Sequence, residues 1–201
     1  HAQAGNADAM QEARSSIVDG GCLANCDYTI AITFEEPTPE QCKEFYRQAL
    51  LSLSANPEHS FRSRLAVDLL RALGEFGSDE TNLQVARLVD EHDFDSQVQV
   101  AQLLASCGLK QQSFELLERL TVAKRQDEDA YDLDDDLGRI ALAYSEAGES
   151  HLAFELVAEI KWRKKRLSVW LLLAANEEDE VRRAQVLHAF LERELHTPDN
   201  E

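Results

Sequence analysis

The chain has 201 residues, enough to bury a sizeable core, and its 44% apolar and 29% charged composition is that of a folded protein rather than a disordered one. Only 8 Gly and 4 Pro argue against a turn-rich all-β design, and no apolar run approaches the roughly 20 residues that span a bilayer. The charge is one-sided, 38 acidic against 20 basic residues for a net −18, which sets the surface against phosphate backbones and anionic lipid, and so against nucleic-acid and membrane partners.

The sequence opens HAQAGN, where Ala2-Gln3-Ala4 before Gly5 follows the small-residue pattern of a signal-peptidase site, although an artificial boundary would read the same. The expected location is therefore periplasmic or secreted, with cytoplasmic as the alternative. Asp8 to Val18 can form a short helix ended by Gly20-Gly21. In an oxidising compartment Cys22 and Cys26 could close a small disulfide, with Cys26–Cys42 as the rival pairing. Tyr28, Ile30, Ile32 and Phe34 then alternate with Thr29, Ala31 and Thr33, the period of an extended segment. A strand without a partner is unstable, so residues 28–34 should lie across the first helices or pair with another copy as a homo-oligomer. Next comes a helix start: Thr38 as N-cap, Pro39 at the first helical position, Gln41 closing a capping box. Asn56-Pro57 ends that helix.

Beyond residue 57 one pattern recurs. Around IALAYSEAGESHLAFELVAEI, residues 140–160, Leu137 just upstream and then Ile140, Ala141, Tyr144 and Ala147 follow one helical face up to Gly148. Glu149-Ser150 restart a helix carrying Leu152, Leu156, Val157 and Ile160, so Gly148 is expected to supply the left-handed turn between two helices. In another copy Val100, Ala101, Leu104 and Cys107 precede Gly108, with Phe114, Leu116 and Leu117 after it. A further copy has Leu69, Leu70, Leu73 and Phe76 before Gly77, then Leu83, Val85 and Ala86. The last, LSVWLLLAANEEDEVRRAQVLHAFL, places Asn176 at the turn, Asn being next to Gly in tolerance of positive φ. Trp170 falls in this copy beside Leu171 and Leu172, which are read as completing its buried face. The turn residues are unevenly spaced, the long interval before Gly148 holding the inserted acidic run Asp127–Asp136. Each hairpin leaves an apolar face that only a stacked neighbour can cover. Glu178 to Leu195 reads as a long capping helix, stopped by His196-Thr197-Pro198.

The acidic run lacks the Gly at the sixth and Glu at the twelfth position of a calcium loop. It is matched instead with the basic run Lys161–Arg166: in repeat register Asp135 and Arg163 begin adjacent first helices, so carboxylates would sit beside cations that oppose a helix dipole. The six His show no zinc-ligand spacing, and no nucleophile elbow, P-loop or dinucleotide fingerprint occurs. No metal, cofactor or catalytic centre is expected. Cys42 lies nearest to a reactive thiol's setting, at a helix start, but is read as structural; Cys107 is placed in the core.

Tyr144, Gly148 and Ala153 fall at the Tyr, Gly and Ala signature positions of the tetratricopeptide repeat, which the copies across about residues 59 to 196 resemble; the family's first-helix Trp and terminal Pro have no counterpart here. The resemblance implies an all-α, α-α superhelix (a TPR-like solenoid) of about ten helices, with residues 1–57 as an N-terminal cap bearing a short extended segment and residues 58–201 as the repeat array. It also implies a concave face lined by first helices that binds a protein or peptide. The family's groove positions fall on Arg64, Asp68 and Arg71 in the first copy, and on Asp95, Gln99 and Gln102 in the second. In the third they fall on Asp135, Arg139 and Leu142, and in the fourth on Arg163, Arg166 and Trp170. Mixed charge with an aromatic anchor suits a peptide groove. The expected function is a non-catalytic protein–protein interaction scaffold. The alternatives are a self-assembling structural protein or an enzyme using clustered groove carboxylates.

Overall fold

A computed structural model describes residues 38–55, 62–127, 132–177 and 180–196. Among these the secondary structure is helical throughout, with no strand. The expected helix 8–18, the segment 28–34, the Cys22–Cys26 pair and the 57/58 boundary lie outside the described residues. The chain divides into two compact units, residues 1–113 and 114–201.

In the first unit, α1 (Pro39–Ser54) begins as its sequence dictates. The Gln41 N–H donates to Thr38 Oγ1 at 3.3 Å and the Thr38 N–H donates to Gln41 Oε1 at 2.9 Å, with Pro39 in the first turn. Two donors that the helix cannot satisfy internally are thus paired. Cys42, Tyr46, Ala49, Leu50 and Leu53 form its buried stripe, at the spacing that repeats one face. That stripe packs on α2 (Arg62–Leu73), which buries Ala66, Val67, Leu69, Leu70 and Leu73 and also meets α3 (Asp79–Ala86) and α4 (Phe94–Ser106). Ser78 caps α3 through the Thr81 N–H and Asp93 caps α4 through the Ser96 N–H. The Gln97 amide donates to the carbonyls of Val89 and Asp90, and the Asp90 N–H donates to Ser63 Oγ at 2.9 Å, so the α3–α4 connection is pinned from both sides.

The α4–α5 turn has the expected chirality. Gly108 has φ +86°; its N–H donates to Ala105 O and the Leu109 N–H donates to Leu104 O, the paired bonds of a left-handed helix stop. Helix α5 (Lys110–Gln126) follows, and the division between units falls within it. Gly77 behaves differently. Helix α2 tightens into a 3-10 turn, Gly74–Phe76, and Gly77 leaves it extended at φ −76°, ψ 156°. Gly77 is therefore not a left-handed turn residue. It is small because a Cβ there would lie 2.3 Å from Asn82 Oδ1 and 2.5 Å from Tyr46 Cε1.

The second unit holds the rest of α5, α6 (Leu133–Glu146), α7 (Ser150–Glu159), α8 (Arg163–Asn176) and α9 (Glu180–His196). Between α6 and α7 the Gly108 turn is repeated bond for bond. Gly148 has φ +91°, its N–H donates to Ser145 O, and the Glu149 N–H donates to Tyr144 O. Residues Leu137, Ile140, Ala141, Tyr144 and Ala147 are all buried, with Leu156, Val157 and Ile160 across the hairpin. Helix α8 lies on α6, where a Cβ added to Gly138 would sit 2.9 Å from Val169 Cγ2. The absence of a side chain at 138 sets that close approach. The α8–α9 connection again departs from expectation: Asn176 is the last helical residue and the chain leaves it extended at Glu177, φ −77° and ψ 115°.

Candidate functional site

In the first unit four of the expected groove residues, Arg64, Asp68, Arg71 and Gln99, come together. Helices α2 and α4 lie side by side, and Arg71 joins them: its guanidinium donates to Asp68 Oδ1 at 2.8 Å and to Gln99 Oε1 at 2.7 Å. Arg64 Nε lies 4.0 Å from Asp68 Oδ2. Arg64, Arg71 and Asp95 are exposed, while Asp68, Gln99 and Gln102 are half-buried. The buried residues of α2 are Ala66, Val67, Leu69, Leu70 and Leu73, and none of the four polar residues is among the buried residues of either helix. Exposed pairs of this kind contribute little stability, on the order of 0–1 kcal/mol.

In the second unit the acidic and basic runs do meet. Asp134 accepts from the backbone N–H of Lys161 at 3.1 Å and of Trp162 at 2.7 Å, so a carboxylate of α6 caps the start of α8. Asp135 pairs with Lys165 Nζ at 2.6 Å. Asp136 pairs with Lys124 Nζ at 2.7 Å, both groups mostly sheltered. The turn before α8 is held on its carbonyl side as well: Arg166 Nη1 donates to Ile160 O at 2.8 Å and to Lys161 O at 3.4 Å. Asp135 and Leu142 are half-buried, and Arg139 and Arg163 are exposed.

Two expected groove residues are buried instead. Arg166 is 9% exposed and spends its guanidinium on the 160–161 carbonyls. Trp170 is 4% exposed, stacked on Phe154 and tilted against Phe190. The inward face of α8 comprises Arg166, Val169, Trp170, Leu173 and Ala174. Leu171 and Leu172, read as part of that face, are 60% and 49% exposed. The groove register of the fourth copy is therefore rotated: from Val169 to Ala175 every residue is apolar, so hydrophobic periodicity has no contrast with which to fix the phase. What sequence reasoning passed over is Trp162, 60% exposed and the one exposed aromatic among the described residues. Its signal lay in its position just before the helical period begins.

Cys42 is a free, buried thiol on the inner face of α1, and burial raises its pKa, with Glu75 adding to the effect. A neutral buried thiol is a poor nucleophile. Cys107 is also free and, against the expectation of a core position, partly exposed; burial still raises its pKa. Among the described residues no three His, Cys, Asp or Glu side chains cluster in a way that could hold a metal ion, and no helix is long and apolar enough to cross a membrane. An open hollow of about 450 Å³ in the second unit is lined by Gly148, Ser150, His151, Phe154, Glu177, Gln185 and Val186, none of them an expected groove residue. No protein family, curated protein or solved structure matches the chain.

Proposed function

We propose that the chain is a non-catalytic protein–protein interaction module that holds a protein or peptide on the face formed by the first helices of its stacked hairpins. The finer arrangement, a TPR-like superhelix, is part of the same proposal. The observation that carries it is the Arg71 guanidinium joining Asp68 on its own helix to Gln99 on the next, at an exposed surface with Arg64 beside it. Preset hydrogen-bonding groups of mixed charge on two rigid helices suit a peptide backbone and its charged side chains. The recurrence of one turn, at Gly108 and at Gly148, supports the hairpin as the building unit.

The test is affinity capture with the intact chain, followed by a titration of the captured protein against the Arg64→Ala/Arg71→Ala variant. Both side chains are more than half exposed, so the variant should melt with the parent while binding weakens at least tenfold, the ~1.4 kcal/mol scale of one lost charged contact. Undiminished binding by a folded variant would overturn the surface. Light scattering on the chain alone separates the module from a self-assembling protein, which would not run as a monomer.

A further inference from the structure

The backbone before α8 is clamped on both edges. Its N–H groups at Lys161 and Trp162 are taken by Asp134, and its carbonyls at Ile160 and Lys161 by Arg166. Here the Trp162 indole is left 60% exposed, while Trp170, two turns on, is buried. Flanking Trp162 are Lys161, Arg163 and Lys164, all exposed. Lys165 and Arg166, by contrast, are used internally, against Asp135 and against the backbone carbonyls. Among the described residues neither Lys161 nor Lys164 has a carboxylate within 4.0 Å. In a chain of net −18, three exposed cations gather here around an exposed aromatic, with the Asp134 carboxylate engaged by the turn's own backbone.

We propose that the corner Lys161–Trp162–Lys164 is a docking surface for an acidic protein segment, with Trp162 as its apolar anchor and the two lysines pairing with flanking carboxylates. The N–H groups of Lys161 and Trp162 are already taken by Asp134, so at these two residues recognition rests on side chains. Trp is the residue most enriched among interface anchors, and one held on a fixed backbone loses little freedom on binding. Charge complementarity selects the partner's sign. Its kind follows from reach: a duplex or a bilayer carries its charge far beyond this corner and must face the acidic surface around it, whereas a short carboxylate-rich segment touches the corner only. This inference goes beyond the α2–α4 surface and uses none of its residues, so the two readings fail separately.

The chain holds two tryptophans, one exposed and one buried, so the exposed one can be read alone. The experiment titrates the intact chain with a synthetic peptide, Asp-Glu-Asp-Phe-Glu-Asp-Glu, and follows the long-wavelength emission and its quenching by iodide. The expected result is a blue shift with protection from iodide. Binding should weaken at least tenfold in Trp162→Ala and in Lys161→Gln/Lys164→Gln, and at least tenfold again between 50 and 500 mM salt, as screening demands. Melting temperatures of the parent and both variants should agree, and Arg64→Ala/Arg71→Ala should bind the peptide as the parent does. No spectral change at millimolar peptide, or equal binding by the lysine variant, overturns the proposal. So does a preference for phosphatidylserine vesicles or duplex DNA over the peptide.

Discussion

The indole of Trp170 lies flat on the ring of Phe154, centroids 5.0 Å apart and planes 7° from parallel. Phe190 closes the other side at 5.8 Å and 47°. Three aromatic rings from α7, α8 and α9 thus make one stack, which binds the last hairpin of the second unit together. Such pairs contribute about 0.5–1.5 kcal/mol beyond the area they bury.

Trp170→Ala is accordingly expected to act on stability. Removing a buried Trp costs about 3–5 kcal/mol, a fall in melting temperature of roughly 10 °C for a chain of this size. Trp170→Phe should cost far less, since a ring is kept in the stack and the indole Nε1, buried with no hydrogen-bond partner among the described residues, is removed. Thermal melts of the two variants decide it; equal losses would mean that the stack does not stabilise the hairpin.

The glycines separate two causes of the same preference. At Gly108 nothing lies within 4 Å of an added Cβ but φ is +86°, so Gly108→Ala should cost only the left-handed penalty, about 1–2 kcal/mol. At Gly77 φ is ordinary, yet the added methyl meets Asn82 and Tyr46. Gly77→Ala should therefore cost as much or more through overpacking, about 1–3 kcal/mol. Replacing Asn82 by Ala in the same chain should relieve part of that cost. A double-mutant cycle on denaturation midpoints checks this: strict additivity would place the strain elsewhere.

Tyr46 is 1% exposed, and its hydroxyl donates to Asn82 Oδ1 at 2.8 Å, while Asn82 Nδ2 donates to Gly74 O at 2.9 Å. Burial pushes the phenol well above its usual range, and Cys107 adds to the effect. The folded pKa is raised, so the stabilisation is complete below the unfolded value of about 10. It is lost as pH climbs from there towards the folded value, because the unfolded state sheds a proton that the folded state keeps. The expected slope is about −1.4 kcal/mol per pH unit. Urea midpoints between pH 9 and 11 should fall more steeply for the parent than for Tyr46→Phe, which should be less stable at pH 7 by about 1 kcal/mol for the lost hydrogen bond. Tyr144, raised in the same direction by burial, adds a common background to both.

Asp134 should matter through the helix it caps rather than the one it belongs to. Asp134→Ala leaves the N–H groups of Lys161 and Trp162 without a carboxylate, and lost caps cost about 0.5–2 kcal/mol. Asp134→Asn should retain part of the effect, since its amide oxygen still accepts. Melting temperatures of the pair check the order; an alanine variant that melts with the parent would mean that Asp134 is not the cap.

What the sequence determined by itself is whatever depends on a few neighbouring residues. Thr38, Pro39 and Gln41 specify the start of α1 with contacts that close within one turn. Gly108 and Gly148 specify helix stops because only Gly takes positive φ cheaply and the bonds that complete the stop span six residues. The buried face of α6 was legible because polar residues interrupt it at helical period. Only the tertiary structure decided the phase of α8, where Val169–Ala175 is apolar all round and the packing of Phe154, Phe190 and Gly138 chose which side to cover. That choice turned Trp170 and Arg166 inward and left Leu171 and Leu172 outside; in the first unit, Tyr46 and Asn82 gave Gly77 a steric rather than a conformational role. Periodicity encodes which residues share a face; which face is covered depends on what lies across from it, and that is a property of the packed chain.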